Sequence, residues 1–161
     1  MPISLIVACA ENRVIGRNRQ LPFDIAEDKA WFDQKTAGHV VVLGRICFET
    51  WPKAVAAGRH PIVITRDRTL ASPLVQVAAS VPEALALART LPGETLVCGG
   101  QRIYEETLPL ADRLYVTLVH AEVPGDTYFP EWRKMNWRET ARRESHDANY
   151  RYTFLTLDRQ E

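Results

Sequence analysis

The sequence predicts an α/β protein in a single domain, with a central mixed, mostly parallel sheet flanked by helices and an antiparallel edge at its C-terminal end. Three observations predict it. Short apolar runs rich in β-branched residues recur at Ile3–Ala10, His39–Leu43, Pro61–Thr65 and Thr95–Cys98, long enough for buried strands and too short for good helices. Segments with helical start and stop signals alternate with these runs, which implies crossover connections. Near the C-terminus two strand candidates, Trp137–Arg142 and Tyr150–Leu157, follow one another without a helix between them, which favours an antiparallel edge.

Taken in order, Ile3–Ala10 is the first strand. Glu11–Asp24 has Asn12, Gly16, Asn18 and Pro22 and no sustained period, so it reads as a long loop, and long loops are commonly functional or mobile. Asp24 is placed to cap a helix from about Ile25 to Thr36, ended by Gly38. After the strand His39–Leu43, Gly44-Arg45 opens a short helix that ends near Trp51-Pro52, and Trp51–His60 reads as a loop beside it. Pro61–Thr65 is the third strand and Val75–Ala78 a weaker fourth. Ser80 before Val81-Pro82-Glu83 marks a capped helix start, and Pro92-Gly93 stops that helix. Thr95–Cys98 leads through Gly99-Gly100 into a helix over Gln101–Thr107, closed by Leu108-Pro109. Arg113–Ala121 is a further strand.

Composition narrows the function. The chain has 161 residues, with 20 Lys and Arg against 20 Asp and Glu. A chain of that length buries roughly 70% of its unfolded surface and needs no covalent or metal staple. Zero net charge argues against a nucleic-acid binder. Cys9, Cys47 and Cys98 are far apart and form no CxxC pair, so neither a disulfide framework nor a zinc site is expected. His39, His60, His120 and His146 show no metal-ligand spacing, and no metal is expected. No apolar run is long enough to cross a bilayer. The start MPISLIVACAENR lacks a basic stretch before its apolar run, so the expected location is the cytoplasm and the expected state a monomer.

Three features carry chemistry. Asp28 shares a helix face with Ile25 and Phe32 and lies three residues from Trp31. It is either a first-turn acid favoured by the helix dipole or a partly desolvated carboxylate facing a pocket, suited to a planar pair of N–H donors. The strand–Gly99-Gly100–helix sequence offers backbone N–H groups to a phosphate but lacks the GxGxxG spacing and the Walker lysine. Gly44-Arg45 and Thr65-Arg66 each put a guanidinium just beyond a buried strand, at the sheet edge where open α/β sheets bind ligands. The alternative for each arginine is an ordinary solvated charge. No GxSxG elbow is present to supply a nucleophile.

In order along the chain, ISLIVACAENRVIG, LPFDIAEDKAWF, VVVLGR, VCGGQRIYEETLP and LYVTLVHAEVPGDTYFP resemble the bacterial dihydrofolate reductases from Ile3 to Phe154. The resemblance implies an eight-stranded mixed sheet with about four helices, and NADPH-dependent reduction of dihydrofolate to tetrahydrofolate for one-carbon metabolism. It implies that Asp28 is the catalytic carboxylate gripping the pterin, with Thr117 hydrogen-bonded to it. Ile6, Val7, Phe32, Val55 and Cys98 would form the substrate pocket, and Arg59 would take the α-carboxylate of the folate tail. Gly44, Arg45, Cys47, Thr65, Arg66, Gly99, Gly100, Gln101, Arg102, Ile103 and Tyr104 would contact NADPH, with Ala8, Ile15 and Gly16 on its nicotinamide side. Arg45, Thr65 and Arg66 would favour the 2′-phosphate. The Gly99–Gly100 peptide would be cis, Glu11–Asp24 a closing loop, and Gly125-Asp126 the support of its closed form. Antifolate inhibitors are the implied further ligands.

The chain also departs from the family pattern. Phe23 replaces a frequent Trp, Ile46 a frequent His, Cys47 a frequent Thr and Gln101 a common third Gly, while Lys29 and Trp51 stand where apolar pocket residues are usual. The alternatives are a reductase of another pteridine or of a riboflavin precursor, and a non-catalytic binding module. Asp28 and Arg59 argue against the first, and the lid-length loop Glu11–Asp24 against the second.

Overall fold

The computed structural model describes residues 2–160. Its strands are β1 (Ile3–Ala10), β2 (Val14–Gly16), β3 (Val40–Gly44), β4 (His60–Ile64), β5 (Gln76–Ala78), β6 (Thr95–Gly99), β7 (Arg113–Val119), β8 (Thr127–Tyr128), β9 (Trp137–His146) and β10 (Arg151–Arg159). The helices are α1 (Ala26–Thr36), α2 (Arg45–Glu49), α3 (Val81–Ala88) and α4 (Gln101–Thr107). Eight strands form one sheet in the order β5-β4-β3-β6-β1-β7-β10-β9. From β5 to β7 every pairing is parallel, and β10 joins β7 and β9 antiparallel. The mixed sheet with its antiparallel edge is the predicted architecture.

The centre of the sheet is buried on both faces, as parallel strands covered by helices must be. Along β1, Leu5, Val7 and Cys9 point into the main core with Ala84, Leu85 and Ala88 of α3 and Ile103 and Tyr104 of α4. Ile6 points the other way, toward Trp31 and Phe32 of α1. At the far edge β9 is almost wholly exposed. α3 starts as its sequence predicts, with the Ser80 hydroxyl accepting from the Glu83 N–H at 3.3 Å.

The structure corrects three readings. Asp24 does not cap α1: the helix starts at Ala26, so the N-cap position falls on Ile25, without a side-chain cap, and Asp24 instead pairs with Lys29 Nζ at 2.6 Å. The segment Glu11–Asp24 is not without regular structure, since β2 pairs antiparallel with β8 in a separate two-stranded sheet. A three-residue strand is too short to display a period. The strands near the C-terminus also run past their expected ends: β9, a charged edge strand with little apolar alternation, continues to His146, and β10 continues through the polar Asp158 and Arg159 by pairing with β9.

Glu27, in the first turn of α1, ties the helix to that edge. Its carboxylate accepts from Ser145 Oγ (2.5 Å), Tyr152 Oη (2.7 Å) and Arg143 Nη1 (2.7 Å). These donors, Ser145 first, hold its pKa at about 2, below the usual 4.5. A carboxyl lowered by folding stabilises the protein above its unfolded pKa and loses that contribution as pH falls through the folded value. Thermal melts of Glu27→Gln should therefore show lower stability at neutral pH and a flatter decline between pH 4.5 and about 2. Stability curves that stay parallel to wild type would contradict this role.

Candidate active site

A cleft of about 1210 Å³ opens at the carboxyl ends of β1, β3 and β6, walled by α1 on one side and by Gly16 and residues 18–21 with Asp126 and Thr127 on another. The sheet order explains its place, since ligands of open α/β sheets bind beyond the carboxyl ends of parallel strands.

Asp28 lines this cleft and is only 8% exposed. Its Oδ1 accepts a 2.6 Å hydrogen bond from Thr117 Oγ1 on β7. Burial raises its pKa above the ordinary carboxylate value, the Thr117 hydrogen bond opposes the rise, and the charge of Glu27 adds to it. A buried carboxylate with one oxygen still open toward a cleft is poised to accept from a planar pair of N–H donors. The pocket-facing alternative for Asp28 is thus the observed one.

The rest of the wall is largely as expected. Ile6, Val7, Ala8, Ile15, Gly16, Phe32, Cys47, Cys98, Gly99, Gly100, Gln101 and Tyr104 all line the cleft. The Gly99–Gly100 peptide is cis. Gly99 has φ +127°, and a Cβ there would come within 3.1 Å of Cys47 Sγ, so only glycine leaves this stretch of wall open. Tyr104 Oη donates to the Ile6 carbonyl at 2.7 Å, tying α4 to β1 behind the wall.

Other expected site residues lie elsewhere. Val55 is outside the cleft lining and 38% exposed, because the single 3-10 turn Pro52–Val55 directs it outward. Trp51, Pro52 and Lys53 take its place on the wall, with Trp51 edge-on to Phe32 at 4.8 Å between ring centroids. Arg59 sits behind the mouth with its side chain 2% exposed. Its Nε donates to Thr36 Oγ1, its Nη1 to the Lys53 and Ala56 carbonyls and its Nη2 to the Asp33 carbonyl. The same Nη2 also lies 3.9 Å from Asp33 Oδ1 as an ion pair, and Arg59 is not part of the cleft lining. Gly44 and Ile103 pack against each other beneath the wall, while Arg45 pairs with Glu49 at 2.7 Å. Thr65 Oγ1 accepts from the Asp67 N–H, and Arg66 and Arg102 are exposed. The β3–β4 register places Gly44 opposite Ile64, so Arg45, Thr65 and Arg66 emerge at one edge of the sheet.

Sequence reasoning missed Asn18, Arg19, Gln20, Leu21, Asp33, Leu43 and Thr50 as lining residues. The segment Gly125-Asp126 contacts the loop that follows β2. The Asp126 N–H donates to the Gly16 carbonyl at 3.0 Å, and Asp126 Oδ2 accepts from the Asn18 N–H at 3.0 Å. Gly125 is packed so closely that a Cβ would fall 2.3 Å from Val14 Cγ1 and 2.6 Å from the Gly16 oxygen. Gly125→Ala should therefore push β8 off β2, measured as faster amide exchange at Asn18 together with slower turnover. Unchanged exchange at Asn18 would contradict that packing.

No helix is long and apolar enough to cross a membrane among the described residues. The protein-family model described as Dihydrofolate reductase matches residues 2–159. The chain is 38% identical over 164 aligned residues to dihydrofolate reductase type 3 of Salmonella typhimurium, covering 99% of each. It is 38% identical to dihydrofolate reductase of Neisseria gonorrhoeae, over 96% of each. A solved structure of Enterococcus faecalis dihydrofolate reductase, complexed with NADP(H) and RAB-propyl, superposes with a TM-score of 0.86 at 32% identity, covering 99% of this chain and 97% of that one. A family match over nearly the whole length, on a fold whose cleft holds the buried acid, shows that the chain belongs to the dihydrofolate reductase family.

Proposed function

We propose that this chain, acting as one unit over its length, reduces 7,8-dihydrofolate to tetrahydrofolate with NADPH. The observation that carries the reading is Asp28, a buried carboxylate on the cleft wall, hydrogen-bonded to Thr117 and open toward the cleft.

The donor set fits the cofactor. Gly99 and Gly100 keep side chains off the wall that would hold a nicotinamide nucleotide, and Arg45, Thr65 and Arg66 share the sheet edge suited to a phosphate monoester. When bound, NADPH supplies a hydride to C6 of the substrate. The chain's residues bind and orient. Asp28 accepts from the 2-amino group and N3 of the pterin, and its negative charge favours protonation at N5, the proton coming from water. Ile6, Val7, Phe32 and Cys98 supply apolar wall, and Arg59, buried behind the mouth against Asp33, would take a tail carboxylate once its Nη2 contacts with Asp33 open. Ala8, Ile15 and Gly16 border the nicotinamide side, and the β2–β8 pair holds the lid that excludes bulk water. Antifolate inhibitors would compete at Asp28. A cytoplasmic monomer is part of the same proposal.

The test is NADPH consumption, followed by near-ultraviolet absorbance, with dihydrofolate, another reducible pteridine and a riboflavin precursor in parallel. The reading predicts turnover with dihydrofolate far above the other two. Preference for either of the others would replace the substrate and keep the cofactor.

A further inference from the structure

Gln101 links two parts of the cleft that are distant in sequence. It lines the wall next to Gly99–Gly100, and its Oε1 accepts a 2.8 Å hydrogen bond from the Tyr128 N–H of β8. β8 is the partner of β2, the short strand within the lid segment. The segment after β8 is held by the same helix: Phe129, fully buried, packs edge-on to Tyr104 of α4 at 4.9 Å between centroids, and its N–H donates to the Arg13 carbonyl at 2.8 Å. The Gln101 amide nitrogen has no protein partner among the described residues.

We infer that Gln101 is a positioning residue that joins the lid to the cofactor wall, using its carbonyl to hold β8 and leaving its amide N–H groups for an acceptor on bound NADPH. The inference rests on the cofactor reading above. A single neutral hydrogen bond has a modest net effect, but here it sits between the closing segment and the wall. Occupancy of the wall fixes the Gln101 side chain, and a fixed Gln101 holds β8 and β2 in the closed arrangement. The coupling is reciprocal, so loosening Gln101 from β8 weakens cofactor binding as well.

Two variants separate the halves of this role. Gln101→Met keeps side-chain length and removes both acceptor and donors. Gln101→Glu keeps an acceptor for Tyr128 and replaces the donors with a negative charge. Amide exchange at Tyr128, read in the free protein, should be roughly threefold to tenfold faster in the Met variant and as slow as wild type in the Glu variant. NADPH affinity, read by titration in the same samples, should fall in both. Equal exchange in wild type and the Met variant would overturn the tie. A Glu variant that binds NADPH as tightly as wild type would overturn the donor role. Failure of the wild-type chain to bind NADPH would overturn the reading of the cleft itself, and it is told apart because the exchange is measured without cofactor.

Discussion

Asp28→Asn lowers turnover of dihydrofolate on the order of 10²- to 10⁴-fold, the range associated with loss of a positioned acid or base, and leaves NADPH affinity nearly unchanged. Asparagine fits the space and still offers an oxygen to Thr117, so the wall survives. The charge that selects and polarises the pterin does not. Stability distinguishes this from unfolding. Burial raises the Asp28 pKa in the folded protein, so ionising it costs stability, a cost absent below the unfolded pKa and incurred as pH rises through the folded one. The asparagine variant escapes that cost and should melt no lower than wild type at neutral pH. Equal losses of turnover and of NADPH affinity, with a lower melting temperature, would instead mean that Asp28 is a structural acid of the first turn.

Arg66→Ala has the second largest expected effect, and it falls on cofactor choice. Arg66 is exposed beyond β4, at the edge it shares with Arg45 and Thr65. A charge-assisted hydrogen bond to a phosphate contributes about 1.5–3 kcal/mol, and solvent exposure places this one at the lower end, so NADPH affinity should fall roughly tenfold. NADH, which lacks the 2′-phosphate, should bind the variant and the wild type alike. Parallel titrations with the two cofactors decide it: equal weakening of both would refute the 2′-phosphate assignment.

The features legible in the sequence were those with a local physical signature. β1, β3, β4 and β6 are continuous apolar runs because helices cover both faces, and α3 carries a serine cap with an acid three residues on. Asp28 was visible as a carboxylate on an otherwise apolar helix face, although periodicity left it undecided between the dipole and the pocket. Thr117 had no such signal. It meets Asp28 only because β1–β7 pairing sets Ala8 beside Thr117, under the first turn of α1. The pairing of β2 with β8 was equally hidden, since strands of three and two residues find each other across more than a hundred positions. Asp24 showed the capping pattern, but the helix begins one residue later and places the cap position on Ile25. At Val55 the resemblance supplied a pocket residue, while the local 3-10 turn gives the wall to Trp51. Long-range pairing and the starting residue of a helix are what a local reading cannot resolve.

The most direct test follows the hydride itself. NADPH deuterated on the transferring face of nicotinamide C4 is turned over with dihydrofolate by the wild-type chain, and the product is examined by mass and NMR. The account predicts one deuterium at C6 of tetrahydrofolate, a solvent proton at N5, and on the order of 10²-fold or more slower label transfer in Asp28→Asn. A wild-type chain that binds both compounds yet leaves C6 unlabelled would contradict it.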